Sequence, residues 1–192
     1  MDKGTLKQRL LELKTTFQEQ EEALTELDRA IGDGDHGVNM RRGFEALAEK
    51  LDDSSIENIL KLTGMTLMSN IGGASGPLYG FSFVKMSQVA PTDDINHEDL
   101  VQLLTAFSEA IAQRGKVSLN EKTMYDVIER ARQAVENNET VTLETLQQFA
   151  DDTQEMVATK GRAAYFKEDS KGYIDPGAQS SVYILNALIG ED

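Results

Sequence analysis

Asp28-Arg29-Ala30-Ile31-Gly32-Asp33-Gly34-Asp35-His36-Gly37-Val38-Asn39-Met40 decides the reading of this chain. Three carboxylates, Asp28, Asp33 and Asp35, fall within eight positions, and only Gly34 separates the last two. Alternate residues of a Gly-rich turn can aim their oxygens at one point, which suits a hard cation such as Mg2+ or Ca2+. The glycines also let the backbone approach a ligand closely. An amphipathic segment follows at once, so the loop is expected to end at a helix N-terminus, whose free N–H groups favour anions. Carboxylates and an anion site share one loop without conflict only if metal lies between them, and a metal-bridged phosphate meets that condition. The plainer alternative is a solvated acidic turn that caps the next helix. Repulsion among three convergent carboxylates argues instead for a bound cation.

Working outward, apolar residues recur at helical spacing on both sides of this loop. Leu6, Leu10, Leu13, Phe17, Leu24, Leu27 and Ile31 predict one long first helix, and Met40, Phe44, Leu47 and Leu51 a second. Ser54-Ser55-Ile56-Glu57 reads as a capping box opening a third helix with Ile59, Leu60, Leu62, Met65 and Leu67. Ile71-Gly72-Gly73-Ala74-Ser75-Gly76-Pro77 breaks it, and Leu78 to Val89 forms an apolar fourth helix expected to be buried nearly all round. His97 starts helix five as a solvated residue, and Gly115 ends that helix. Lys116 to Lys122 connects to helix six, which begins at Thr123-Met124-Tyr125-Asp126 and closes at Asn137-Asn138. Helix seven carries Leu143, Leu146, Phe149, Met156 and Val157. A long loop from Gly161 to Asp175 follows, and Pro176, at a first helical position, opens helix eight. No period-2 stretch, internal repeat or linker interrupts this pattern. The expectation is a single all-α domain over 1–192: an eight-helix antiparallel up-and-down bundle or barrel with its site at one end.

In such a bundle alternate connections share one end. The connections after helices one, three, five and seven hold Gly32 to Gly37, Gly72 to Pro77, Gly115 to Met124 and Gly161 to Gly177, and they carry most of the loop glycines. The connections near Asp52, Pro91 and Asn138 are plain polar turns. One end therefore reads as a site and the other as simple connections.

Composition narrows the partners. The chain has 192 residues, 40% hydrophobic and 27% charged, which is ordinary for a globular protein with a substantial core. A net charge of -14 makes nucleic acid and anionic membrane surfaces poor partners. There is no cysteine, hence no disulfide, thiolate site or cysteine nucleophile, which is compatible with a reducing cytosol. No signal peptide follows Met1, and no apolar run approaches the roughly 20 residues that span a membrane.

Several readings of the loops compete. Gly32-Asp33-Gly34-Asp35-His36-Gly37 matches the dinucleotide fingerprint formally, but that fingerprint follows a strand and a helix is expected here. An EF-hand fails because the twelfth residue from Asp33 is Phe44, not glutamate. Gly72-Gly73-Ala74-Ser75-Gly76 resembles a phosphate-cradling turn, against the alternative of a small-residue turn for close helix packing. It lacks the Gly-Lys-Ser/Thr of the NTPase phosphate loop. Thr123-Met124 could be a cap and a core methionine, Arg162 a solvated charge, and Asp175-Pro176-Gly177 a helix start. Their shared end of the bundle raises them together. His36, with glycines nearby on both sides, is read as exposed and as a ligand or phosphate contact rather than a phosphohistidine.

Taken together these residues resemble a known family. Asp28 with Gly32-Asp33-Gly34-Asp35-His36-Gly37, Asn39 and Met40, the run Gly-Gly-Ala-Ser-Gly-Pro-Leu-Tyr-Gly from Gly72, Thr123-Met124 with Asp126, Gly161-Arg162-Ala163, and Asp175-Pro176-Gly177-Ala178 are similar to the nucleotide-binding L domain of dihydroxyacetone kinases. The resemblance covers essentially the whole chain, in family order, and implies an antiparallel barrel of eight helices. It implies that Asp28, Asp33 and Asp35 hold two Mg2+ ions bridging the phosphates of ADP or ATP. His36, Gly37, Val38 and Asn39 would contact the nucleotide, Ala74 and Ser75 the phosphates, and Gly115 and Met124 the adenine. Arg162 with Asp175, Pro176 and Gly177 would complete the site. One departure is visible: Asn120-Glu121 precede Lys122-Thr123-Met124 where the family often has Gly-Asp.

ATP-dependent members of that family fuse this domain to a large substrate domain, whereas this chain runs from its own Met1 to Asp192. The resemblance is therefore to the separate L subunit of the bacterial type driven by the phosphoenolpyruvate phosphotransferase system. There, ADP stays bound, a phosphohistidine of the M subunit phosphorylates it, and the γ-phosphoryl passes to dihydroxyacetone on the K subunit, in the cytoplasm. No substrate-hydroxyl base stands out in this sequence, which fits a substrate held elsewhere and a transfer driven by positioning and charge neutralisation. Two alternatives are an ADP-loaded regulator binding a transcription factor, and the nucleotide domain of another kinase such as a fatty acid kinase. The latter's loop usually reads Asp-Gly-Asp-Thr-Gly, and His36 departs from it.

Overall fold

The computed structural model describes residues 1–52 and 54–190; Asp53, Glu191 and Asp192, the last two forming the C-terminal end of the expected 1–192 unit, lie outside the described residues. Nine α-helices are found there and no strand: α1 (Lys3–Glu19), α2 (Glu21–Ile31), α3 (His36–Ala48), α4 (Ile56–Asn70), α5 (Ser75–Ser87), α6 (His97–Gly115), α7 (Met124–Glu136), α8 (Leu143–Asp151) and α9 (Pro176–Ile189). Short 3-10 turns cover Asp152–Glu155 and Arg162–Ser170. The helices run up and down in an antiparallel barrel. Each packs on its neighbour in the chain, and the ring closes where α9 meets both α7 and α1, with α8 against α7 and α9.

Three sequence expectations need correction. The long first helix is two, because Gln20 leaves helical geometry at φ -96° and ψ 3°. Phe17 and Leu24 are seven residues apart and both fully buried, so the apolar stripe runs straight through the break. The capping box at Ser54–Glu57 does not form: Ser55 is the N-cap, its Oγ accepts the Asn58 N–H at 3.0 Å, and Glu57 falls one residue short of the reciprocal position. Helix seven of the sequence reading ends at Asp151, so Met156 and Val157 lie beyond it, past the first 3-10 turn. Ser55→Ala removes one of the first-turn acceptors of α4 and is expected to cost about 1 kcal/mol of unfolding free energy in urea titration.

The core is aromatic at two levels. Phe17 stacks on Phe44 with ring centroids 4.6 Å apart, joining α1 to α3. Phe107 of α6 sits 5.5 Å from Phe83 and 6.4 Å from Tyr79, both on α5. The α4–α5 crossing is closest at Gly64 and Gly80, where a Cβ on either would come within 2.7 Å of the other's carbonyl oxygen. α5 presents no fully exposed residue over its length, but it spans Ser75–Ser87 rather than Leu78 to Val89, and Val89 of the expected helix is 42% exposed. No helix of the described residues is long and apolar enough to cross a membrane.

Candidate functional site

Four helices, α3, α5, α7 and α9, begin at the same end of the barrel, and residues of all four first turns line one cavity of about 480 Å³. The connections rich in glycine meet there, and the volume lies within the range of small-molecule sites. Three of these helix starts are satisfied by side chains. Asp28 reaches over from α2 to accept the N–H groups of Asp35 (2.8 Å) and His36 (3.1 Å) at the head of α3. Thr123 and Asp126 form a reciprocal capping box on α7. Asp175 accepts the Ala178 N–H at 2.8 Å on α9. The α5 start, with Ala74 as N-cap, has no side-chain cap, so its first N–H groups remain for whatever enters the cavity.

The three aspartates line the same cavity as the α5 start. One carboxylate oxygen from each of Asp28, Asp33 and Asp35 lies within 4.8 Å of the others, the only such group of three metal-binding side chains among the described residues. Asp28 is buried while Asp33 and Asp35 are exposed, so the cluster opens toward the cavity. Arg162, on the turn that follows Gly161, pairs with Asp33 across the mouth. The donor set is oxygen only, the choice of a hard divalent cation.

The remaining residues expected at the site separate into two groups. His36, Asn39, Ala74, Ser75, Gly115, Met124, Arg162, Asp175, Pro176 and Gly177 line the cavity, together with the three aspartates. Gly37 and Val38 do not. A Cβ on Gly37 would stand 2.1 Å from the Glu21 carbonyl oxygen, so this glycine serves close packing of α3 on α2, and Val38 is 40% exposed on the outer side. His36 is also not exposed, as its flanking glycines had suggested. The ring is 7% accessible, and burial pushes its pKa down to about 4 against the opposing pull of Asp28 and Asp35. Asp175 goes the other way, pushed up to about 7 by burial and held back by the Ala178 N–H and Lys122.

Sequence reasoning missed Lys122. Its side chain is only 1% accessible, and it donates to the carbonyls of Thr153 and Tyr173 while lining the cavity. Burial lowers its pKa, and Asp175 leads the carboxylates that oppose the shift. Nothing in the residue type announces this role, and its backbone φ of +61° emerges only in the structure. The same contacts pin the base of the 154–172 segment: Gln154 and Gly172 exchange two hydrogen bonds at 2.9 Å, and Ser170 Oγ accepts the Ala158 N–H. Tyr165 and Phe166, near the tip, are 85% and 37% exposed.

Comparison with known proteins agrees with this geometry. The DAK2 domain family matches residues 30–190. The ADP-binding subunit DhaL of the PEP-dependent dihydroxyacetone kinase of Escherichia coli K12 is 42% identical over 186 residues, covering 90% of this chain and 89% of that one. The ADP-binding subunit DhaL of the PTS-dependent dihydroxyacetone kinase of Lactococcus lactis is 43% identical, covering 90% and 89%. Among solved structures, the native dihydroxyacetone kinase of C. freundii superposes with a TM-score of 0.73 at 22% identity, a likeness of fold. The superposition takes in 97% of this chain but 34% of that one, so this chain spans about a third of that kinase. The family match over residues 30–190 and the identity of 42–43% to relatives covered over about nine-tenths of their length show that the chain belongs to the DAK2 domain family.

Proposed function

We propose that this chain is the nucleotide-binding L subunit of a phosphoenolpyruvate-dependent dihydroxyacetone kinase, a phosphotransferase that keeps ADP and two Mg2+ ions at the glycine-rich end of the barrel. The observation that carries this reading is that an all-oxygen aspartate cluster and a helix start without a side-chain cap line one cavity. The residues present fit the group. Asp28, Asp33 and Asp35 would hold the cations, the first N–H groups of α5 at Ser75 and Gly76 would receive phosphate, and Leu78, Ile111 and Met124 offer an apolar wall for a base. When bound, Mg2+-ADP supplies the phosphoryl carrier between a phosphohistidine of an M subunit and dihydroxyacetone on a K subunit.

The chain's own residues then have definite tasks. The aspartates offset cation charge and fix its position, and Asp28 does so while anchoring the start of α3. Arg162, paired with Asp33 and lining the cavity, would add a guanidinium to phosphate oxygens where negative charge accumulates. No base for the substrate hydroxyl is required of this chain, since positioning and charge neutralisation dominate phosphoryl transfer. The exposed Tyr165 and Phe166, on the same segment as Arg162, offer an apolar surface where a partner subunit would dock. A cytoplasmic location goes with this reading. A transcription factor binding the ADP-loaded form would use the same rim. A fatty acid kinase is the less favoured assignment, because His36 is built into the site where that family's loop carries threonine.

Two results are expected. Native mass spectrometry of the purified protein is expected to show one ADP and magnesium retained, with no entry of labelled ATP during turnover. Rapid entry of label would make the subunit ATP-dependent and defeat the carrier reading. Hydrogen exchange is expected to slow over residues 161–173 when Mg2+-ADP is present, while the turn at Asn138 is unaffected, because Arg162 and Ala163 of this segment line the cavity that the ligand would fill. Equal exchange in both states would remove Arg162 as an ordered phosphate contact.

A further inference from the structure

A guanidinium on the outer surface of the barrel reaches a residue of the cavity wall. Arg42 is exposed and does not line the cavity. Its Nε donates to the Asn70 carbonyl at 2.7 Å, and its Nη2 to Asn39 Oδ1 at 2.9 Å. Asn70 is the last residue of α4, so the first bond satisfies one of the carbonyls left over at that helix end, where the dipole also favours a cation. The second bond lands on the start of α3, where Asn39 is 7% accessible and lines the cavity. The amide is held from a second side. A Cβ on Gly72 would stand 2.8 Å from Asn39 Oδ1 and 3.1 Å from Nδ2, so the amide fills the space that a side chain at Gly72 would need.

These contacts fix which end of the amide is left for a ligand. An arginine carries only donors, so the atom facing its Nη2 must be the carbonyl oxygen of Asn39; the reversed amide would set N–H against N–H. The Asn39 backbone N–H is taken by the Asp35 carbonyl at 3.0 Å. Nδ2 donates to no acceptor among the described residues, yet it is not one of their buried unpartnered atoms, so open space lies in front of it. The open side of this residue is the cavity. Gly72, on which the amide packs, leads directly into Gly73-Ala74-Ser75 and the start of α5. The amide therefore stands at the turn that would receive phosphate, not at the apolar wall of Leu78, Ile111 and Met124.

We infer that Arg42 is a positioning residue: by holding Asn39 Oδ1 from outside the cavity, it aims the Asn39 amide hydrogens at the phosphate oxygens of the bound nucleotide, beside the N–H groups of the α5 start. A neutral donor suits this place. It binds an anion without adding a charge that would repel the cation held by Asp28, Asp33 and Asp35. Without Arg42 the amide can turn its oxygen toward the phosphates, and acceptor would then face acceptor. This inference rests on the Mg2+-nucleotide reading above, and adds to it the end of the amide that is used and the residue that sets it.

A double-mutant cycle read by calorimetry of Mg2+-ADP tests it. Arg42→Met keeps the stem and removes both donors; it is expected to weaken binding about two- to ten-fold. Arg42 is on the surface, so the fold tolerates the change. Asn39→Ala is expected to weaken binding at least as much, and Arg42→Met added to it to change binding by less than about two-fold. A full further loss in the Asn39→Ala background overturns the inference, because Arg42 would then act by its charge or through the end of α4. Asn39→Asp puts an acceptor of the same shape where the amide nitrogen stood, and is expected to weaken binding about ten-fold or more. Binding that is unchanged or tighter means that this side chain offers oxygen to the ligand, and also overturns the inference. Side-chain NH2 signals in 15N correlation spectra follow the contact without nucleotide. The Asn39 pair, identified by its loss in Asn39→Ala, is expected to shift in Arg42→Met, and a pair that does not move contradicts the hydrogen bond. If the unaltered protein binds no Mg2+-ADP, the nucleotide reading fails, while the NH2 pair still decides whether Arg42 holds Asn39.

Discussion

Replacing Asp33 or Asp35 by Asn is expected to weaken Mg2+-ADP binding by about a hundred-fold or more, roughly 3 kcal/mol, with the fold intact. Each change withdraws a negative oxygen from a cage in which the three carboxylates lie within 4.8 Å of one another. Both residues are exposed and belong to a connection rather than the core, so the unfolding free energy should move by no more than about 0.5 kcal/mol. Asp28→Asn is a different experiment. Asp28 also accepts two N–H groups at the start of α3, so part of its effect would appear as loosening of the loop and not as lost cation affinity alone. Calorimetry in excess Mg2+ separates the cases, and an ADP affinity unchanged by Asp33→Asn removes the metal assignment.

The second large effect lies in the core beneath the site. Phe107→Ala empties the space between Tyr79 and Phe83, where the removed ring is fully buried. The expected cost is about 3–5 kcal/mol. For a chain of this length that lowers the melting temperature by roughly 6–20 °C. Phe107 does not line the cavity, so any change in nucleotide affinity would come through displacement of Tyr79. Thermal unfolding monitored by circular dichroism measures the first effect. A loss below about 1 kcal/mol would mean that α5 and α6 repack around the gap.

These two variants also mark what was legible in the sequence. Helical periodicity located the core, and Leu6, Leu10, Leu13, Phe17 and Phe44 are buried where the spacing put them. The up-and-down order then gathered the glycine-rich connections at one end, a consequence of topology that needs no knowledge of side chains. What escaped depended on contacts remote in sequence. The break at Gln20 carries neither glycine nor proline and leaves the apolar stripe in register. Lys122 reads as a surface charge because its acceptors, Thr153 and Tyr173, lie more than thirty residues away. Ser180 and Ser181 were passed over as part of an apolar helix, although two adjacent hydroxyls in such a helix were a visible anomaly. Gly37 and Val38, placed with the ligand contacts by resemblance, are outside the lining of the cavity, Gly37 being packed on the Glu21 carbonyl.

The most direct test of the carrier reading is a phosphotransfer assay with all partners present and no free nucleotide. The protein, carrying only what it retains through purification, is mixed with phosphorylated M subunit, K subunit and dihydroxyacetone, and dihydroxyacetone phosphate is followed over time. The expected result is many turnovers per subunit, abolished in Asp33→Asn. Product that forms only when ATP is added, or forms equally well with Asp33→Asn, would contradict a metal-held ADP at the end of this barrel as the phosphoryl carrier.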